Sequence, residues 1–218
     1  MISEFKELEK LFQEIDQQLK TEVKIYIIGG AALLYHDLKP ATKDIDIITV
    51  DQKGYDAIKT VLKSIGFKIK TPAGVYIKMN LSSIFEREDF RVDIFQKTVC
   101  KKLCLSNNMK KRAINVINLK NLKVFLCSSE DIFIFKSLTE REGDIEDNIS
   151  LIKHGLNWDI ILDEIIFQIK TYGQDVWITW FGERLDKLER QGINIPFMGK
   201  INRLRDEYFK KLERKLKK

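Results

Sequence analysis

The fold is set by the segment IYIIGGAALLYHDLKPATKDIDIITV, which runs from Ile25 to Val50. Its first four residues form an apolar run long enough for one buried strand. Gly29 and Gly30 interrupt this run, and residues 31–35 have the composition of a short helix. A second apolar run covers residues 45–50. The segment therefore predicts a strand, a short helix and a second strand.

Two aspartates mark the start of the second apolar run: Asp44 precedes it and Asp46 interrupts it. Aspartate is depleted in strands and is rarely buried without a partner. Residues i and i+2 of a strand point to the same face, so we expect these two carboxylates side by side. Paired carboxylates suit a hard cation such as Mg²⁺, which takes oxygen ligands and shares them with substrate phosphates.

The glycine pair supplies the second half of such a site. A Gly-Gly turn into a helix lets backbone N–H groups approach a phosphate closely, and the helix N-terminus adds partial positive charge. Gly29-Gly30 and the two aspartates together predict a site for a metal ion and a triphosphate. A weaker alternative takes the glycines as part of a dinucleotide-binding fold. The full G-x-G-x-x-G pattern is absent, and no acidic residue closes the second strand in the usual way.

These motifs resemble a known superfamily. Gly29-Gly30, followed by a short helix and then by Thr42-Lys43-Asp44-Ile45-Asp46, is similar to the signature of the DNA polymerase β-like nucleotidyltransferases. Within that superfamily, the chain is most similar to small bacterial and archaeal members related to the AbiEii toxin, the nucleotidyltransferase half of a toxin–antitoxin pair. The resemblance covers roughly residues 20–155.

Members of that superfamily carry a third carboxylate on a neighbouring strand. Asp93 is the candidate, since it lies inside the alternating apolar segment Arg91 to Phe95. The resemblance implies that Asp44 and Asp46 hold two Mg²⁺ or Mn²⁺ ions, and that Asp93 binds the ion near the nucleophile and helps to take its proton. It also implies a set of nucleotide-binding residues in this part of the chain: Gly29, Gly30, Thr42 and Lys43.

The implied activity is transfer of a nucleoside monophosphate from an NTP to an acceptor hydroxyl, with release of pyrophosphate. The subfamily resemblance implies tRNA, another RNA or a protein side chain as the acceptor. It also implies a toxin–antitoxin context, with a cognate antitoxin as a partner.

The chain departs from the family at one position. The family pattern R-x-T-x-D has arginine where this sequence has Pro40. Lys39 or Lys43 can replace the charge, but a lysine is a point charge and not a planar fork. The departure keeps a second hypothesis open, a catalytically inactive binding protein on the same fold. Retention of all three carboxylates favours the enzyme.

A later pair of predicted helices, over residues 129–141 and 144–154, carries a further resemblance to the AbiEii-like group. The matching residues are Ser129-Glu130-Asp131, Lys136, Arg141 and Asp144. The resemblance implies that Lys136 and Asp144 bind nucleotide. Two other interpretations have similar weight: a lysine that snorkels from an apolar helix, and an aspartate that caps the next helix or orients Lys136.

Composition limits the class of protein. Of 218 residues, 44% are hydrophobic and 32% are charged, which suits a substantial core. No apolar stretch reaches the roughly 18 residues of a transmembrane helix, and the opening MISEFKELEK has no signal-peptide core. We therefore expect a cytoplasmic protein without a membrane span. The spacing of Cys100 and Cys104 does not suit zinc, so we expect reduced thiols.

The net charge of +6 belongs to the C-terminal tail. Residues 200–218 hold nine Lys or Arg and three Asp or Glu, whereas the rest of the chain holds equal numbers of each sign. A solvated face of an amphipathic helix is the usual explanation of such a tail. Attraction of RNA or of an acidic partner is the alternative.

The order of the remaining elements predicts the fold class. Strands alternate with helices early and then follow one another, which indicates an α/β (α+β) protein with a nucleotidyltransferase-type mixed β-sheet flanked by helices. We expect a nucleotidyltransferase-like domain over residues 1–155 and a helical C-terminal region over residues 156–218. The further predicted segments are strands at 67–70, 75–80, 90–95, 113–119 and 122–126, and a loop at 107–111.

Overall fold

The computed structural model describes residues 1–72, 81–99, 103–139, 141, 143–173 and 175–217. The chain forms two compact units, Met1–Ser128 and Ser129–Lys218. The division that the sequence predicts after residue 155 follows the extent of the family motifs, and it stays a prediction.

The first unit contains a mixed sheet and the helices that flank it. Its helices are α1 (Phe5–Gln18), α2 (Gly29–Tyr35), α3 (Gln52–Ser64) and α4 (Asn107–Arg112). Its strands are β1 (Val23–Ile28), β2 (Ile45–Thr49), β3 (Lys68–Lys70), β4 (Ser83–Arg87), β5 (Phe90–Gln96), β6 (Thr98–Val99), β7 (Leu103–Cys104), β8 (Ile114–Asn118) and β9 (Leu122–Leu126). The predicted fold class is confirmed.

Seven of these strands form one sheet in the order β3-β4-β5-β2-β1-β9-β8. Strands β2 and β5 pair in parallel, as do β1 and β9, whereas β1 and β2 are antiparallel. Strands β6 and β7 form a separate two-stranded sheet. The segment from Ile25 to Val50 therefore supplies the two central strands, β1 and β2.

The core of the first unit lies between the sheet and helices α1 and α3. Ile25, Ile27 and Ile47 are almost completely buried, and α3 packs on β1, β2 and β5. The Tyr55 hydroxyl of α3 lies 2.6 Å from Ser83 Oγ, and Ser83 is paired with Ile94 on β5. These contacts identify the face of the sheet that α3 covers.

Two sequence predictions in the first unit need comment. The loop predicted at 107–111 is wrong, because these residues form α4. The Ser106 side chain accepts a hydrogen bond from the Met109 amide, and Met109 is fully buried. Both features stabilise a short helix, although the polar composition of these residues is typical of a loop. The strand predicted at 75–80 lies outside the described residues.

The second unit is helical. Its helices are α5 (Ser129–Ser137), α6 (Gly143–His154), α7 (Trp158–Tyr172), α8 (Trp177–Arg190) and α9 (Met198–Leu216). Phe133 is fully buried and makes edge-to-face contacts with Trp158 and Phe181, at ring-centroid distances of 5.7 Å and 6.4 Å. Aromatic packing therefore joins α5, α7 and α8 into one core. Within the described part of the chain, no helix has the length and apolar character needed to cross a membrane.

Candidate active site

Three carboxylates lie at one end of the central strands, and we call Asp44, Asp46 and Asp93 the carboxylate edge. Asp46 on β2 and Asp93 on β5 are direct partners in the parallel pair. Directly opposed residues of neighbouring strands have side chains on the same face. Ile94, the next residue along β5, is paired with Ser83 on the face that α3 covers. Asp46 and Asp93 therefore point away from α3, and Asp44 lies just before β2.

The two glycines are required by their close approach to this edge. Gly29 has φ +68°, and a Cβ built on it would lie 2.0 Å from the Asp46 carboxylate. A Cβ on Gly30 would lie 2.5 Å from Thr42 Oγ1. Any side chain at Gly29 would displace Asp46, and one at Gly30 would press on Thr42. The structure thus brings the predicted glycines, Asp46 and Thr42 together.

Arg91 is the cation of the carboxylate edge. Its Nε and Nη2 donate to the two oxygens of Asp93, at 2.8 Å and 2.7 Å. Its Nε also lies 3.7 Å from Asp44 Oδ1. The Arg91 and Asp44 side chains are 20% and 25% exposed, whereas that of Asp93 is 3% exposed. Two of the three predicted carboxylates therefore converge on one guanidinium that solvent can reach.

Thr42 is fixed by the backbone around it. Its N–H and C=O both pair with Ile2, at 2.8 Å and 2.9 Å, and its hydroxyl donates to the carbonyl of Asp44 at 3.0 Å. Lys43 is exposed. The Lys39 side chain passes 4.0 Å from the position that a Cβ on Gly30 would take. Lys39 is therefore the lysine that lies beside the glycine pair where the family has arginine.

The remaining predicted residues, Lys136 and Asp144, meet in the second unit. Lys136 Nζ donates to Asp144 Oδ1 at 3.0 Å and to Asp147 Oδ2 at 2.6 Å. The Lys136 side chain is 5% exposed and that of Asp144 is 2% exposed. We call Lys136, Asp144 and Asp147 the buried cluster.

Neighbouring donors complete the buried cluster. Arg141 Nε and Nη2 donate to the two Asp144 oxygens, at 2.9 Å and 3.1 Å, and the Thr139 hydroxyl donates to Oδ2. Arg184 is 2% exposed and donates through Nη2 to the Thr139 carbonyl. The cluster thus links α5, α6 and α8.

Charge pairing dominates the protonation of the buried cluster. Burial alone would lower the pKa of the Lys136 ammonium, but Asp144 and Asp147 outweigh it and raise that pKa. Burial likewise opposes ionisation of Asp144, yet Lys136 and Arg141 hold the pKa of its carboxyl well below the usual range. Burial lowers the pKa of Arg184, with Asp144 acting against it. Lys136 and Asp144 are therefore both charged at neutral pH.

Sequence reasoning assigned no role to Arg91 or Asp147. The signal for Arg91 was available, because Arg91 and Asp93 are i and i+2 of a strand and so share a face. The signal for Asp147 was its spacing of three residues from Asp144 on a helix. Neither spacing reveals that the guanidinium of the first pair is partly exposed and that the second pair is enclosed.

The family follows from a sequence comparison. Residues 6–180 match a family model described as "Nucleotidyltransferase of unknown function (DUF6036)". The match spans most of the chain, so the protein belongs to this family of nucleotidyltransferases. This agrees with the predicted superfamily and with a transferase activity, whereas the AbiEii-like subgroup stays a prediction. No curated protein matches the chain significantly.

Solved structures offer distant similarities. The structure of ANT(2")-Ia in complex with adenylyl-2"-tobramycin has a TM-score of 0.42 and 9% identity, covering 84% of this chain and 98% of that one. A Thermotoga maritima protein assigned as a nucleotidyltransferase has a TM-score of 0.41 and 18% identity, covering 61% of this chain and 83% of that one. JHP933 from Helicobacter pylori has a TM-score of 0.40 and 14% identity, covering 99% of this chain and 96% of that one. These similarities are too weak to support a conclusion about substrate.

Proposed function

We propose that this protein transfers a nucleoside monophosphate from an NTP to an acceptor hydroxyl, with the reaction at the carboxylate edge. The acceptor oxygen bonds to the α-phosphorus, the bond from that phosphorus to the β-phosphate bridging oxygen breaks, and pyrophosphate leaves. The observation that carries the proposal is the direct pairing of Asp46 with Asp93 on parallel strands, with Asp44 and Asp93 sharing one cation.

The carboxylate edge fits a divalent cation by its chemistry. Asp93 and Asp44 already face a positive group, the Arg91 guanidinium, which occupies the place of a cation between them. Carboxylate oxygens are the ligands that Mg²⁺ and Mn²⁺ take. Among the residues that the structure describes, no group of three or more Asp, Glu, His or Cys could hold a metal ion as it stands. We propose that Arg91 gives up at least one of its two hydrogen bonds to Asp93 when a metal ion binds at this edge.

The residues of the chain would divide the work as follows. Asp44, Asp46 and Asp93 would hold Mg²⁺ or Mn²⁺, which supplies charge neutralisation and activation of the attacking hydroxyl. Asp93 would accept the proton of the attacking hydroxyl once Arg91 no longer donates to both of its oxygens. Backbone N–H groups at Gly29 and Gly30 would approach the phosphates, since neither residue has a side chain in the way. Thr42, Lys43 and Lys39 would border the triphosphate.

Lys136 and Asp144 fit a supporting role better than direct phosphate contact. The Lys136 ammonium is directed at two carboxylates and is almost completely buried. A cation in that position holds α5 and α6 together, and it leaves the partly exposed Arg141 anchored on Asp144. Nucleotide binding by Lys136 and Asp144 themselves stays a prediction from the family resemblance.

The acceptor is proposed from the family resemblance alone. A tRNA or other RNA, or a protein side chain, would supply the hydroxyl, and the toxin of a toxin–antitoxin pair with its cognate antitoxin is the context that fits.

A second candidate, a catalytically inactive binding protein, is favoured by one observation. Arg91 satisfies both oxygens of Asp93, so the charge of that carboxylate is already neutralised without a metal. An inactive protein would keep this fork permanently. In that case neither Mg²⁺ nor NTP would bind at the carboxylate edge.

The test is transfer of label from each α-³²P-labelled NTP in the presence of Mg²⁺ and total cellular RNA, followed by separation of RNA and protein. We expect label in one of the two fractions. Asp46→Asn should reduce the rate of transfer by at least about 100-fold, because replacing even a residue that only hydrogen-bonds to a metal ligand typically reduces metal affinity or activity 10–100-fold. The matched control is Asp89→Asn, which removes a carboxylate that is 89% exposed. Equal transfer by Asp46→Asn would refute the assigned site, and no label together with no NTP binding would support the inactive protein.

A further inference from the structure

The apolar face of α9 is buried at one end of the helix and exposed at the other. Ile201 is fully buried and Met198 is 8% exposed. In the second half of the helix, Phe209 is 48% exposed, Leu212 40% and Leu216 80%. We call Phe209, Leu212 and Leu216 the tail stripe.

The burial ends because α9 extends past the helix on which it packs. The Arg205 side chain lies against Gly182 of α8 and pairs with Asp186 at 2.9 Å. Lys211 pairs with Asp175, which precedes the first residue of α8, at 2.6 Å. The helices are thus antiparallel, and residues 212–216 of α9 continue beyond the Lys211–Asp175 pair by about 7.5 Å at 1.5 Å per residue.

The tail stripe is a narrow seam. At about 100° per residue, its three side chains fall within about 60° of arc. An apolar stripe of this width is typical of contact with one other helix, whereas a helix that lies in a lipid surface needs a broad apolar face. Phe209 is the one aromatic residue of the stripe, so the surface is also unlike the stacking platforms that bind single-stranded nucleic acid.

The exposed end of α9 carries an excess of positive charge. Residues 209–217 include Lys210, Lys211, Arg214, Lys215 and Lys217 against the single acid Glu213. Two copies of this end would repel each other, because residues 209–217 of each carry five basic residues and one acid, a net charge of +4. A helix with an excess of carboxylates would complement this charge.

We propose that the tail stripe docks an acidic amphipathic helix of a protein partner. The partner helix would continue the packing that α8 provides, with its apolar residues on Phe209, Leu212 and Leu216 and its carboxylates toward the basic residues of this end of α9. Apolar anchors at spacings of three and four residues are the usual basis of helix-to-helix recognition. The interaction is independent of the reaction at the carboxylate edge.

The experiment uses the full chain and a synthetic, fluorescein-labelled helical peptide of about 20 residues, long enough to be helical. The peptide carries leucine along one stripe and glutamate on both sides of it. We expect saturable binding in the micromolar range by fluorescence anisotropy. The triple variant Phe209→Ser, Leu212→Ser, Leu216→Ser should weaken binding by about tenfold or more. The control Ile114→Ser, at an exposed apolar residue of β8, should leave binding unchanged.

Further measurements distinguish an acidic helix from a second copy of the chain and from a lipid surface as the molecule that covers the tail stripe. The double variant Lys210→Glu, Lys215→Glu keeps the tail stripe. It should weaken binding of the glutamate peptide and strengthen binding of a peptide that has lysine in place of glutamate. Circular dichroism of each variant checks that the chain is folded. The proposal is overturned by failure of the glutamate peptide to bind or by equal binding of the triple variant. It is also overturned if the stripe instead drives self-association in light scattering, or binding to phosphatidylserine-containing vesicles.

Discussion

The carboxylate edge and the buried cluster use the same chemical groups in opposite ways. At the edge, the Arg91 and Asp44 side chains are 20% and 25% exposed. In the cluster, Lys136 and Asp144 are 5% and 2% exposed. Both regions pair aspartates with a cation, but the Arg91 guanidinium is partly exposed, whereas the Lys136 ammonium is almost completely buried. We propose that the edge exchanges its cation, whereas the cluster holds its cation as part of the fold.

In our proposal, this difference separates the reaction site from a structural element. Removing one partner of an enclosed ion pair leaves an uncompensated charge that water cannot solvate. At a partly exposed pair, water and metal ions compensate. The order of the predictions below follows from this contrast.

The largest expected effect is on stability, through Lys136. Lys136→Met leaves Asp144 and Asp147 without their shared ammonium, so we expect a loss of about 3–5 kcal/mol in the free energy of unfolding. The control is Lys211→Met, which breaks a Lys–Asp pair at the same 2.6 Å distance but with the lysine 61% exposed. That change should stay within about 1 kcal/mol. Urea unfolding measures both, and equal losses would remove the distinction between enclosed and exposed pairs.

The next effect is the acid dependence of the buried cluster. Because the pKa of Asp144 is lower in the folded chain, its stabilisation is present at neutral pH and is lost as pH falls below the ordinary carboxyl range. The gap in unfolding free energy between wild type and Asp144→Asn should be constant from about pH 7 to 5. Below about pH 4 it should narrow, by at most ~1.4 kcal/mol per pH unit. A gap that is unchanged down to pH 3 would contradict the charged state of Asp144.

A smaller effect is expected at Gly29. Gly29→Ala places a methyl group 2.0 Å from the Asp46 carboxylate at a φ of +68°, so Asp46 must move. We expect a cost of about 1–3 kcal/mol in unfolding free energy, the usual range for overpacking, together with loss of nucleotidyl transfer. Gly173→Ala is the matched control, because Gly173 has a similar φ of +65° and no atom beyond its chain neighbours lies within 4 Å of its added Cβ. Normal activity of Gly29→Ala would show that Asp46 does not need its present position.

The smallest effect sharpens the role of Arg91. Arg91→Gln removes the cation that competes for Asp93 and Asp44, so the affinity for Mn²⁺ should rise. A neighbouring guanidinium lowers the pKa of a carboxyl group by about one to three units. We expect the affinity of the carboxylates for Mn²⁺ to change by about tenfold, which corresponds to the smallest of these shifts. Isothermal titration calorimetry measures this change. A fall in affinity would indicate that Arg91 orients the carboxylates instead of competing for them.

Much of the first unit could be predicted because its signals are local. The apolar runs around Gly29-Gly30 and Asp46 specify strands β1 and β2, and the alternation around Asp93 specifies β5. The direct pairing of Asp46 with Asp93 was expected only from the family resemblance, since register depends on contacts between distant segments. Strand β4 has no distinctive apolar pattern in the sequence, because its Ser83 is buried through a contact with Tyr55 of α3 that no local pattern reveals.

The buried cluster was harder to predict for the same reason. Lys136 stands in an apolar helix, and its spacing is equally consistent with a snorkelling side chain or a ligand-binding one. What decides the matter is enclosure by α6 and α8, which supply Asp147 and Arg184. The departure at Pro40 is similar: only the structure places Lys39, rather than Lys43, beside Gly30.

The central claim is that the carboxylate edge exchanges its cation for a divalent metal during catalysis. The most direct test is titration of Mn²⁺, in the presence of ATP, into wild type, Asp46→Asn and Asp89→Asn. Binding is measured as the decrease in the electron paramagnetic resonance signal of free Mn²⁺. We predict saturable binding by wild type and Asp89→Asn, and binding by Asp46→Asn that is weaker by about 10–100-fold or more. Equal Mn²⁺ binding by all three proteins, or none by wild type, would contradict the account.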